Sequence, residues 1–516
     1  MFQSTLPAVD AGFHDRQREI ERLTALVDSL VDHSAPRWLA ILGQRKVGKT
    51  SLVRELERRS RRAGLVFVVM DLFERLPITT EVFRTCALRT LDALFGSEIG
   101  LSVERLAGRP EYASRLLAHP RLASLPSSLL DLLARLPSME MNASGVAWCA
   151  DLPEQLAQAL GCHVVVAWDE FQELASLAGS RSGGDVLATL RSVWQKHRRV
   201  AYLVSGSAPS ILRDMVSSSH SPFFMHFEVM ELGPLPEREA LQLLGSASEG
   251  LLGESAAHAL YRAVGGHPFY LQVCGEEILR AGPPFDEAAL KETIQRLVFS
   301  TSGRLALYFS RQHAAVVGRS AHAAAALAAV AAAPPEGLRL VDVAGAMGVP
   351  AGDASRYLER LGDAVQKDEQ KRYRMADPTF ALWVRWREPD GRTIPMSVLG
   401  DEAEKQAAEA LSRMGFDLVY QSRASRGAFD LLATRGAALL GVQVKQARLP
   451  LGFSMDEWGR MEAEAARFGW RWILAAVDPE AGVAFLDPGA ARRRKTVRLH
   501  LEAAIPNLLR WLDQGA

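Results

Sequence analysis

The sequence lacks the features of disulfide-stapled, membrane-spanning or polycationic proteins. It has four cysteines in 516 residues, and Cys86, Cys149, Cys162 and Cys274 show no paired spacing. This scatter argues against a disulfide framework or a zinc site and fits a reducing cytosol. The formal net charge is +0, so any nucleic-acid surface must be a local patch. No apolar run of about 18 residues appears, and no membrane span is expected.

The start of the chain also lacks a basic segment followed by an apolar block, so no signal peptide is expected. Residues 320–335 are alanine-rich and predict a helix that is stopped by prolines. The hydrophobic content of 48% and the charged content of 23% are ordinary for a soluble globular protein, and the expected location is cytoplasmic. A length of 516 residues predicts roughly three or four domains.

Apolar segments in the N-terminal half predict a parallel sheet. Residues 37–43, 65–72, 163–170 and 200–207 are short and almost continuously apolar, with helical patterns between them. Such strands are typical of a parallel sheet that is covered on both faces. Residues 74–150 have mostly helical patterns with proline and glycine breaks, and we interpret them as an insertion between the second and third strands.

A phosphate-binding loop follows the first of these strands. The segment GQRKVGKT matches G-x-x-x-x-G-K-[ST] and lies between a predicted strand and a predicted helix. Gly43 and Gly48 let backbone N–H groups surround phosphates, and the helix N-terminus adds partial positive charge. Lys49 can reach the β- and γ-phosphates, the Thr50 hydroxyl can bind Mg²⁺, and Ser51 follows in the same turn. ATP and Mg²⁺ are therefore the predicted cofactors, and a chance match in a glycine-containing turn is the alternative.

Polar side chains end two of the other predicted strands. Asp169 is placed to hold Mg²⁺, and the neighbouring Glu170 to orient the attacking water. Ser207 stands where a polar side chain could sense the γ-phosphate. The alternatives are two solvated acids at a strand end and an ordinary turn serine.

Several motifs follow one another along the chain: FHDRQREIERL (13–23), the phosphate loop, WDEFQEL (168–174), LVSGSAPSIL (203–212), ELGPLPEREALQLL (231–244) and GGHPFYLQ (265–272). Their order resembles the archaeal-type ATPase family, in the STAND class of AAA+-related proteins, over roughly residues 10–300. The resemblance implies that Arg16 lies near the nucleotide and that His267 and Pro268 pack near the adenine, although Pro268 could instead be a simple helix-starting proline. His226 stands near the place where the family often has an arginine finger, so that mechanism is not expected here. Relatives often assemble when active, which makes a homo-oligomer on activation an expectation.

Residues 339–386 resemble the winged helix that follows the ATPase in this family. The family signature is matched by Asp377, Pro378, Phe380 and Trp383. A winged helix can contact DNA phosphates, or it can serve as a packing arm that locks a closed state, and both interpretations stay open. The basic residues predicted to contact DNA are Arg356 and Arg360 on the recognition helix and Lys371 and Arg372, with Arg374, in the wing.

The segment GAFDLLATRGAALLGVQVKQ places polar residues on a predicted apolar hairpin. Gln443 and Lys445 are two residues apart on one strand and therefore point to the same face. Asp430 ends the preceding stretch near that face. A carboxylate, an amide oxygen and an ammonium together predict a metal-dependent hydrolytic site, with Asp430 and Gln443 on the cation and Lys445 on a water or a phosphate.

This hairpin resembles the PD-(D/E)XK nucleases, closest to Holliday-junction resolvase and Mrr-like domains, over about residues 401–480. The resemblance implies that Glu404 is the helix-borne acid, with Glu409 as its rival, and that Ser425 and Arg426 contact the scissile phosphate. Mg²⁺ is the implied metal and Mn²⁺ a substitute. Many members carry Glu where this chain has Gln443, which should weaken metal binding, so a degenerate fold that only packs or binds DNA is the alternative. A basic run at 491–500 is either a phosphate contact or a solvated strand edge.

Taken together, the patterns predict a multidomain α/β protein that acts as an ATP-gated endonuclease on duplex or branched DNA, in defence against foreign DNA or in the processing of branched or mobile DNA. The alternative is an ATP-switched, DNA-binding regulator or scaffold with an inactive nuclease-like tail. A small-molecule kinase would leave the C-terminal half unexplained. The predicted domains are a P-loop ATPase core (1–235), a helical lid (236–310), a winged helix-turn-helix (311–390), and, after a linker (388–402), a small restriction-endonuclease-like α/β domain (401–516).

Overall fold

The chain divides into two compact units, Thr5–Pro234 and Leu235–Ala516, the second of which also includes Met1–Ser4. Within the described parts of the chain, no helix combines the length and the hydropathy needed to cross a bilayer. The computed structural model describes all residues except 1, 3–12, 14–15, 100–101, 123–124, 178–184, 286, 301, 335, 387–401, 417, 422–427, 436–437, 479–481, 494–495 and 514–516.

The first unit contains a five-stranded parallel sheet with strand order β2-β3-β4-β1-β5. Its strands are β1 (Trp38–Leu42), β2 (Leu65–Asp71), β3 (His163–Asp169), β4 (Val200–Gly206) and β5 (Phe227–Glu231). Its helices are α1 (Gln17–His33), α2 (Lys49–Arg59), α3 (Glu81–Ile99), α4 (Val103–Leu106), α5 (Tyr112–Leu117), α6 (Ser127–Arg135), α7 (Ala143–Leu160), α8 (Val186–Trp194) and α9 (Pro209–Ser217).

The predicted parallel sheet is confirmed, and it has one strand more than the sequence indicated. Strand β5 pairs with β1 at the edge of the sheet. Its sequence FEVME is only partly buried and carries Glu228 and Glu231, so it does not show the continuous apolar run by which buried parallel strands are recognised.

Helices cover both faces of this sheet. Alternate residues of β1 divide between two apolar clusters, with Leu39 and Ile41 in one and Trp38, Ala40 and Leu42 in the other. The first cluster includes residues of α1 and α2, and the second includes residues of α3, α7 and α8. Because all five strands run the same way, their carboxyl ends meet at one edge, where ligands bind in open α/β sheets.

The second unit begins with helices and a small sheet. The helices are α10 (Glu237–Ala247), α11 (Glu254–Val264), α12 (Pro268–Ala281), α13 (Glu287–Phe299), α14 (Arg304–Val317), α15 (Ala321–Ala331), α16 (Leu340–Met347), α17 (Ala351–Arg360) and α18 (Pro378–Trp386). The strands β6 (Leu338–Arg339), β7 (Val365–Lys367) and β8 (Arg372–Met375) form a three-stranded sheet in the order β6-β8-β7.

A mixed sheet forms the core of the C-terminal part of this unit. Its order is β14-β13-β11-β10-β9, and β11 runs parallel to β13 while the other pairs are antiparallel. Strands β12, β16 and β15 form a second, smaller sheet. The elements are α19 (Glu402–Arg413), β9 (Leu418–Gln421), β10 (Leu431–Arg435), β11 (Ala438–Lys445), β12 (Leu451–Phe453), α20 (Met455–Phe468), β13 (Arg471–Asp478), β14 (Gly482–Leu486), β15 (Arg492–Arg493), β16 (Val497–Leu499) and α21 (Leu508–Asp513).

Candidate functional site

The phosphate loop joins β1 to α2 and depends on its two glycines. A Cβ at Gly43 would lie 2.6 Å from the carbonyl oxygen of Leu232 and 2.9 Å from a methyl group of Val47, so a larger residue would force the loop apart. Gly48 has a φ of 104° at the start of α2, which lies in the region that favours glycine. Both glycines are therefore required by the local backbone.

Lys49 lies in the mouth of this loop and is 5% exposed. Its Nζ donates hydrogen bonds to the carbonyl oxygens of Gly43, at 2.8 Å, and Gln44, at 2.9 Å. Burial lowers the pKa of Lys49, while the charges of Glu170 and then Asp169 oppose that shift. The ammonium is thus held by carbonyl dipoles and two nearby carboxylates, in a place where phosphate oxygens could take over its bonds.

Asp169 ends β3 and is 7% exposed. Its Oδ2 accepts a hydrogen bond from Thr50 Oγ1, and its Oδ1 accepts one from Ser205 Oγ at 2.5 Å. A hydroxyl and a carboxylate side by side are oxygen donors of the kind that Mg²⁺ prefers, with phosphate and water filling the other positions. The residues present therefore fit a magnesium ion.

Glu170 follows directly with a φ of 57°. One of its oxygens, Oε2, accepts hydrogen bonds from Ser207 N at 3.1 Å, Ser207 Oγ at 2.6 Å and Gln172 Nε2 at 2.7 Å. The structure thus brings the predicted water-orienting acid and the predicted phosphate sensor into direct contact.

Arg16 is 9% exposed and lies against the same loop. Its Nη2 donates to the carbonyl oxygens of Gly233, at 2.5 Å, and Val47, at 3.4 Å. The guanidinium therefore connects the start of the chain to the backbone of the phosphate loop. Ser51 is the third residue of α2 and is partly exposed.

Sequence reasoning missed several residues beside these acids. Asp71 ends β2 and pairs in register with Asp169. Burial, opposed by a hydrogen bond from Phe73 N and reinforced by the nearby carboxylates, raises the pKa of Asp71. Ser205 and Gln172 contact the two acids directly. Asp71 could have been predicted only from the parallel sheet. Like Asp169 it ends an apolar strand, and the carboxyl ends of parallel strands meet at one edge.

Three residues considered under the family resemblance have local roles. His226 stacks obliquely on Trp38 with ring centroids 5.3 Å apart, and its Nδ1 lies 2.9 Å from the carbonyl oxygen of Phe224. Pro268 is the first residue of α12, in the second unit. His267 precedes it and stacks on Tyr270 at 4.0 Å.

The Asp377 motif joins two helices of the second unit. Asp377 caps α18 by accepting hydrogen bonds from Thr379 N at 2.9 Å and Phe380 N at 3.0 Å. It also accepts one from the hydroxyl of Tyr270 in α12, at 2.5 Å. Burial, followed by the charge of Asp377, raises the pKa of Tyr270 well above its usual value, so this hydroxyl stays a donor. Phe380 is fully buried and stacks on Phe309 with centroids 5.7 Å apart.

The basic residues predicted to contact DNA differ in exposure. Arg356 and Arg360 are exposed on α17, one turn apart, and Arg356 pairs with Asp353 at 2.9 Å. Lys371 is exposed in the turn between β7 and β8. Arg372 is partly buried, and its Nη1 donates to the carbonyl oxygen of Gly337 at 3.3 Å, so it also holds the small sheet together.

The hairpin site brings Asp430 and Gln443 together. Asp430 Oδ2 accepts hydrogen bonds from Gln443 Nε2 and from Val444 N, the latter at 2.7 Å. The N–H of Asp430 in turn donates to the carbonyl oxygen of Val442 at 3.0 Å. Asp430 and Gln443 are both partly exposed. A metal ion would need the amide of Gln443 turned over, because its nitrogen and not its oxygen faces the carboxylate.

Lys445 is partly exposed on the same strand, and it reaches towards β12 and α20. Its Nζ lies 3.6 Å from Glu457 Oε1 and 5.2 Å from the centre of the Phe453 ring. Glu457 also caps α20, together with Ser454. Hydrogen bonds from Ser454, assisted by Lys445, lower the pKa of Glu457, and burial opposes this shift. The sequence did not indicate Glu457 as a partner of the lysine.

Only some of the other residues predicted for this region are among those that the structure describes. Glu404 is partly exposed on α19, whereas Ser425 and Arg426 lie outside the described residues. Glu464, which was not predicted, accepts a hydrogen bond from Ala428 N at 2.9 Å and so fixes the backbone just before Asp430. Among the residues that the structure describes, no group of three or more His, Cys, Asp or Glu is arranged to hold a metal ion.

The basic run at 491–500 lies on the smaller sheet. Arg492 is directly opposite Arg498, which is directly opposite Gly452, and all three are exposed. Arg492 pairs with Glu502 at 2.9 Å. Like charges directly opposite each other in a sheet are destabilising, so this face would favour an anion.

Comparison with known proteins covers the region that contains the phosphate loop. A family model described as an AAA ATPase domain matches residues 13–204. The N-terminal part of this chain contains an AAA ATPase domain. The structure is also similar to the Walker-type ATPase of Pyrococcus abyssi, with 21% identity, 74% of this chain and 99% of that chain covered, and a TM-score of 0.51. At this identity the likeness shows a shared fold, and with the family match it assigns the phosphate loop, Asp169 and Glu170 to the AAA domain.

Two other solved structures overlap less closely. The ORC2 protein of Aeropyrum pernix is 15% identical, with 72% of this chain and 93% of that chain covered and a TM-score of 0.44. The Holliday junction resolvase Hjc of Archaeoglobus fulgidus is 22% identical, with 20% of this chain and 93% of that chain covered and a TM-score of 0.18. No curated protein matches the chain.

Proposed function

We propose that this chain is an ATP-hydrolysing switch of the STAND class that controls a metal-dependent DNA endonuclease at its C-terminal end. The observation that carries the proposal is the contact between Asp430 and Gln443 at the ends of adjacent strands, with Lys445 two residues further along β11. All three side chains are partly exposed, so a cation and a phosphate have access to them.

In the AAA domain, each residue has a separate task on the nucleotide. The loop backbone and Lys49 bind the β- and γ-phosphates, and Thr50 and Asp169 would hold Mg²⁺, which neutralises phosphate charge. Glu170 orients the attacking water, and Ser207 lies beside it to contact the γ-phosphate. Arg16 supports the loop from outside through its bond to the carbonyl oxygen of Val47.

At the hairpin, Asp430 and the amide oxygen of Gln443 would hold a divalent cation that polarises the scissile phosphate. Lys445 orients a water or stabilises the charge that develops on the phosphate. Lys445 must exchange its bond with Glu457 for one to the phosphate. An exposed ion pair contributes only about 0–1 kcal/mol, so breaking the ion pair with Glu457 costs little free energy.

Duplex or branched DNA is the proposed substrate of this site. Arg356, Arg360 and Lys371 present exposed positive charge on the helices and sheet of residues 338–386, which we interpret as a winged helix. Arg492 and Arg498 add a second exposed basic face on the sheet next to β12. Such contacts to phosphates fix position without reading sequence. Defence against foreign DNA and the processing of branched or mobile DNA are both consistent with this activity.

The direct test is cleavage of supercoiled plasmid and of a four-way junction with Mg²⁺ or Mn²⁺, with and without ATP. We expect wild-type protein to nick at least one substrate, and Asp430→Ala and Lys445→Ala to lose about 100-fold or more of that rate. Asp456→Ala, which changes an exposed acid on α20, is the matched control and should cleave normally. Equal cleavage by Asp430→Ala would refute the proposed site.

The second candidate, a DNA-binding regulator with an inactive nuclease-like tail, is favoured by one observation. At the hairpin, Asp430 faces the amide nitrogen of Gln443, where a metal site would place a second oxygen donor. If no substrate is cut with either metal, but ATP changes DNA affinity, this candidate replaces the first.

A further inference from the structure

Glu170 is held in an unusual way for an acid at a strand end. Its φ of 57° lies in the left-handed region, which non-glycine residues rarely adopt. Its Oε2 accepts three hydrogen bonds, from Ser207 N, Ser207 Oγ and Gln172 Nε2. A carboxylate with one oxygen fixed in this manner cannot rotate freely, and its other oxygen points in a defined direction.

Gln172 supplies the one of these three donors that does not come from Ser207. It lies in the 3-10 helix Phe171–Leu177 and is 6% exposed. Its Nε2 lies 2.7 Å from Glu170 Oε2 and 3.3 Å from Glu173 Oε1. Its Oε1 is buried and has no hydrogen-bond partner among the described residues. A buried amide oxygen without a partner is unfavourable, so packing alone does not explain a glutamine here.

Gly206 makes room for this amide. A Cβ at Gly206 would lie 2.2 Å from Gln172 Oε1 and 3.3 Å from its Cδ, so any larger residue would displace the side chain. Gly206 ends β4, one residue before Ser207. The φ of Gly206 is not positive. A glycine is therefore needed here to leave room for the amide of Gln172, and not to allow a left-handed backbone.

The charge of the Glu170 carboxylate acts on Lys49 in the phosphate loop. Among the charges near Lys49, that of Glu170 favours the ammonium more than that of Asp169. Glu170 is therefore close to the lysine that would contact the γ-phosphate.

We propose that Gln172 is a positioning residue for ATP hydrolysis, and that it fixes Glu170 Oε2 against Ser207 so that Oε1 is aimed at the attacking water. In that step the water oxygen bonds to the γ-phosphorus, the bond to the bridging oxygen breaks, and ADP leaves with the electron pair. Oε1 takes up the proton that the water loses. The proposal rests on the water-orienting role of Glu170 proposed above.

The test compares turnover with nucleotide affinity in the full-length chain. Gln172→Met keeps the length of the side chain but removes the donor, and we expect kcat to fall about tenfold, as for loss of one hydrogen bond at a reacting group. The Kd for ATP should change by less than about twofold, because the amide of Gln172 donates to Glu170 and Glu173 and not to the phosphate loop. Gln195→Met, at an exposed position of the same unit, is the matched control.

A double-mutant cycle with Gly206 separates positioning from general damage. Gly206→Ala should reduce kcat in the wild-type chain because the new methyl group displaces the amide. In a Gln172→Ala background the same change should have a much smaller effect, since only the flexible end of Leu212 would then be within 3.0 Å. Additive losses, or wild-type kcat in Gln172→Met, would overturn the proposal.

The reference variant Glu170→Gln distinguishes an error in the role of Gln172 from an error in the role of Glu170. If it loses turnover while Gln172→Met keeps it, only the role of Gln172 is wrong. If Glu170→Gln hydrolyses ATP at the wild-type rate, the role of Glu170 is wrong and that of Gln172 falls with it. If Gln172→Met instead weakens ATP binding as much as kcat, Gln172 has a structural role and the proposal is also wrong.

Discussion

The two candidate sites for phosphate chemistry differ in how completely their side chains are fixed. At the phosphate loop, Lys49 is 5% and Asp169 7% exposed. Both carboxylate oxygens of Asp169 and Oε2 of Glu170 accept hydrogen bonds from hydroxyl, amide or backbone donors. At the hairpin, the side chain of Lys445 is 37% exposed and pairs with Glu457.

The nucleotide site is organised by the fold, whereas the proposed nuclease site would be completed by its ligands. The buried site gains its order from parallel strands whose carboxyl ends meet at one edge. At the hairpin, the amide of Gln443 must turn and Lys445 must change partner before a cation and a phosphate can bind. Hydrogen-bond geometry that is fixed before binding favours catalysis because little reorganisation remains at the moment of reaction.

The largest effect is expected at the buried site. Lys49→Met should weaken ATP binding by about 100-fold or more, since the variant loses a charge-assisted bond to phosphate in a desolvated site. Equilibrium binding of a fluorescent ATP analogue measures this loss. Lys46→Met, at a neighbouring position of the same loop, is the control, and similar losses in both variants would show that the loop is not specifically ordered around Lys49.

The basic face beside the hairpin should respond to salt. Replacing both Arg492 and Arg498 with alanine should reduce the salt dependence of duplex binding, lowering the slope of log K against log salt by about 0.9 for each phosphate that these arginines neutralise in the wild-type complex. Binding can be measured in EDTA, so that cleavage does not interfere. An unchanged slope would mean that this face is only a solvated edge of the sheet.

Release of Lys445 should have a smaller effect. Glu457→Gln removes the partner charge while keeping the shape of the cap on α20, and we expect cleavage to rise about threefold, as for loss of an exposed ion pair that competes with the phosphate. Initial nicking rates measure the change. A fall in rate would show instead that Glu457 helps to place Lys445, and the comparison of a fixed and an unfixed site would then be wrong.

The smallest expected effect concerns stability and pH. Burial lowers the pKa of Lys49 from 10.5 in the folded chain, so folding penalises its charge fully below the folded pKa and progressively less as the pH rises through 10.5. Lys49→Met should therefore raise the Tm at neutral pH. As the pH rises towards 10.5, wild-type Lys49 loses its proton and the advantage of the variant should shrink. Thermal unfolding at several pH values checks this, and an advantage that grows with pH would contradict the sign.

Much of the AAA domain could be predicted from sequence because its signals are local. A glycine-rich loop between a strand and a helix, and continuous apolar strands, both depend on neighbouring residues, and the parallel sheet and ATPase domain are confirmed. Strand β5 was not predicted because Glu228 and Glu231 interrupt its apolar pattern.

The contacts around each site could not be predicted, because side-chain placement decides them. Gln172 meets Glu170 within the space that Gly206 leaves, and nothing in the spacing of those residues indicates that contact. Glu457 reaches Lys445 through a helix cap that follows a short strand. The nearness of Asp430, just before β10, to Gln443 in β11 was predictable from the hairpin pattern, whereas the orientation of the amide was not.

Binding of Mn²⁺ to the nucleotide-free Lys49→Met protein tests the cation site at the hairpin most directly, because it requires no knowledge of the DNA substrate. We expect Lys49→Met protein to bind Mn²⁺ at one site. Adding Asp430→Ala should abolish that binding, and adding Gln443→Glu should make it about tenfold tighter because this change supplies a second carboxylate. Equal Mn²⁺ binding in all three proteins would show that Asp430 and Gln443 do not hold a metal ion, and the proposed nuclease activity would be refuted.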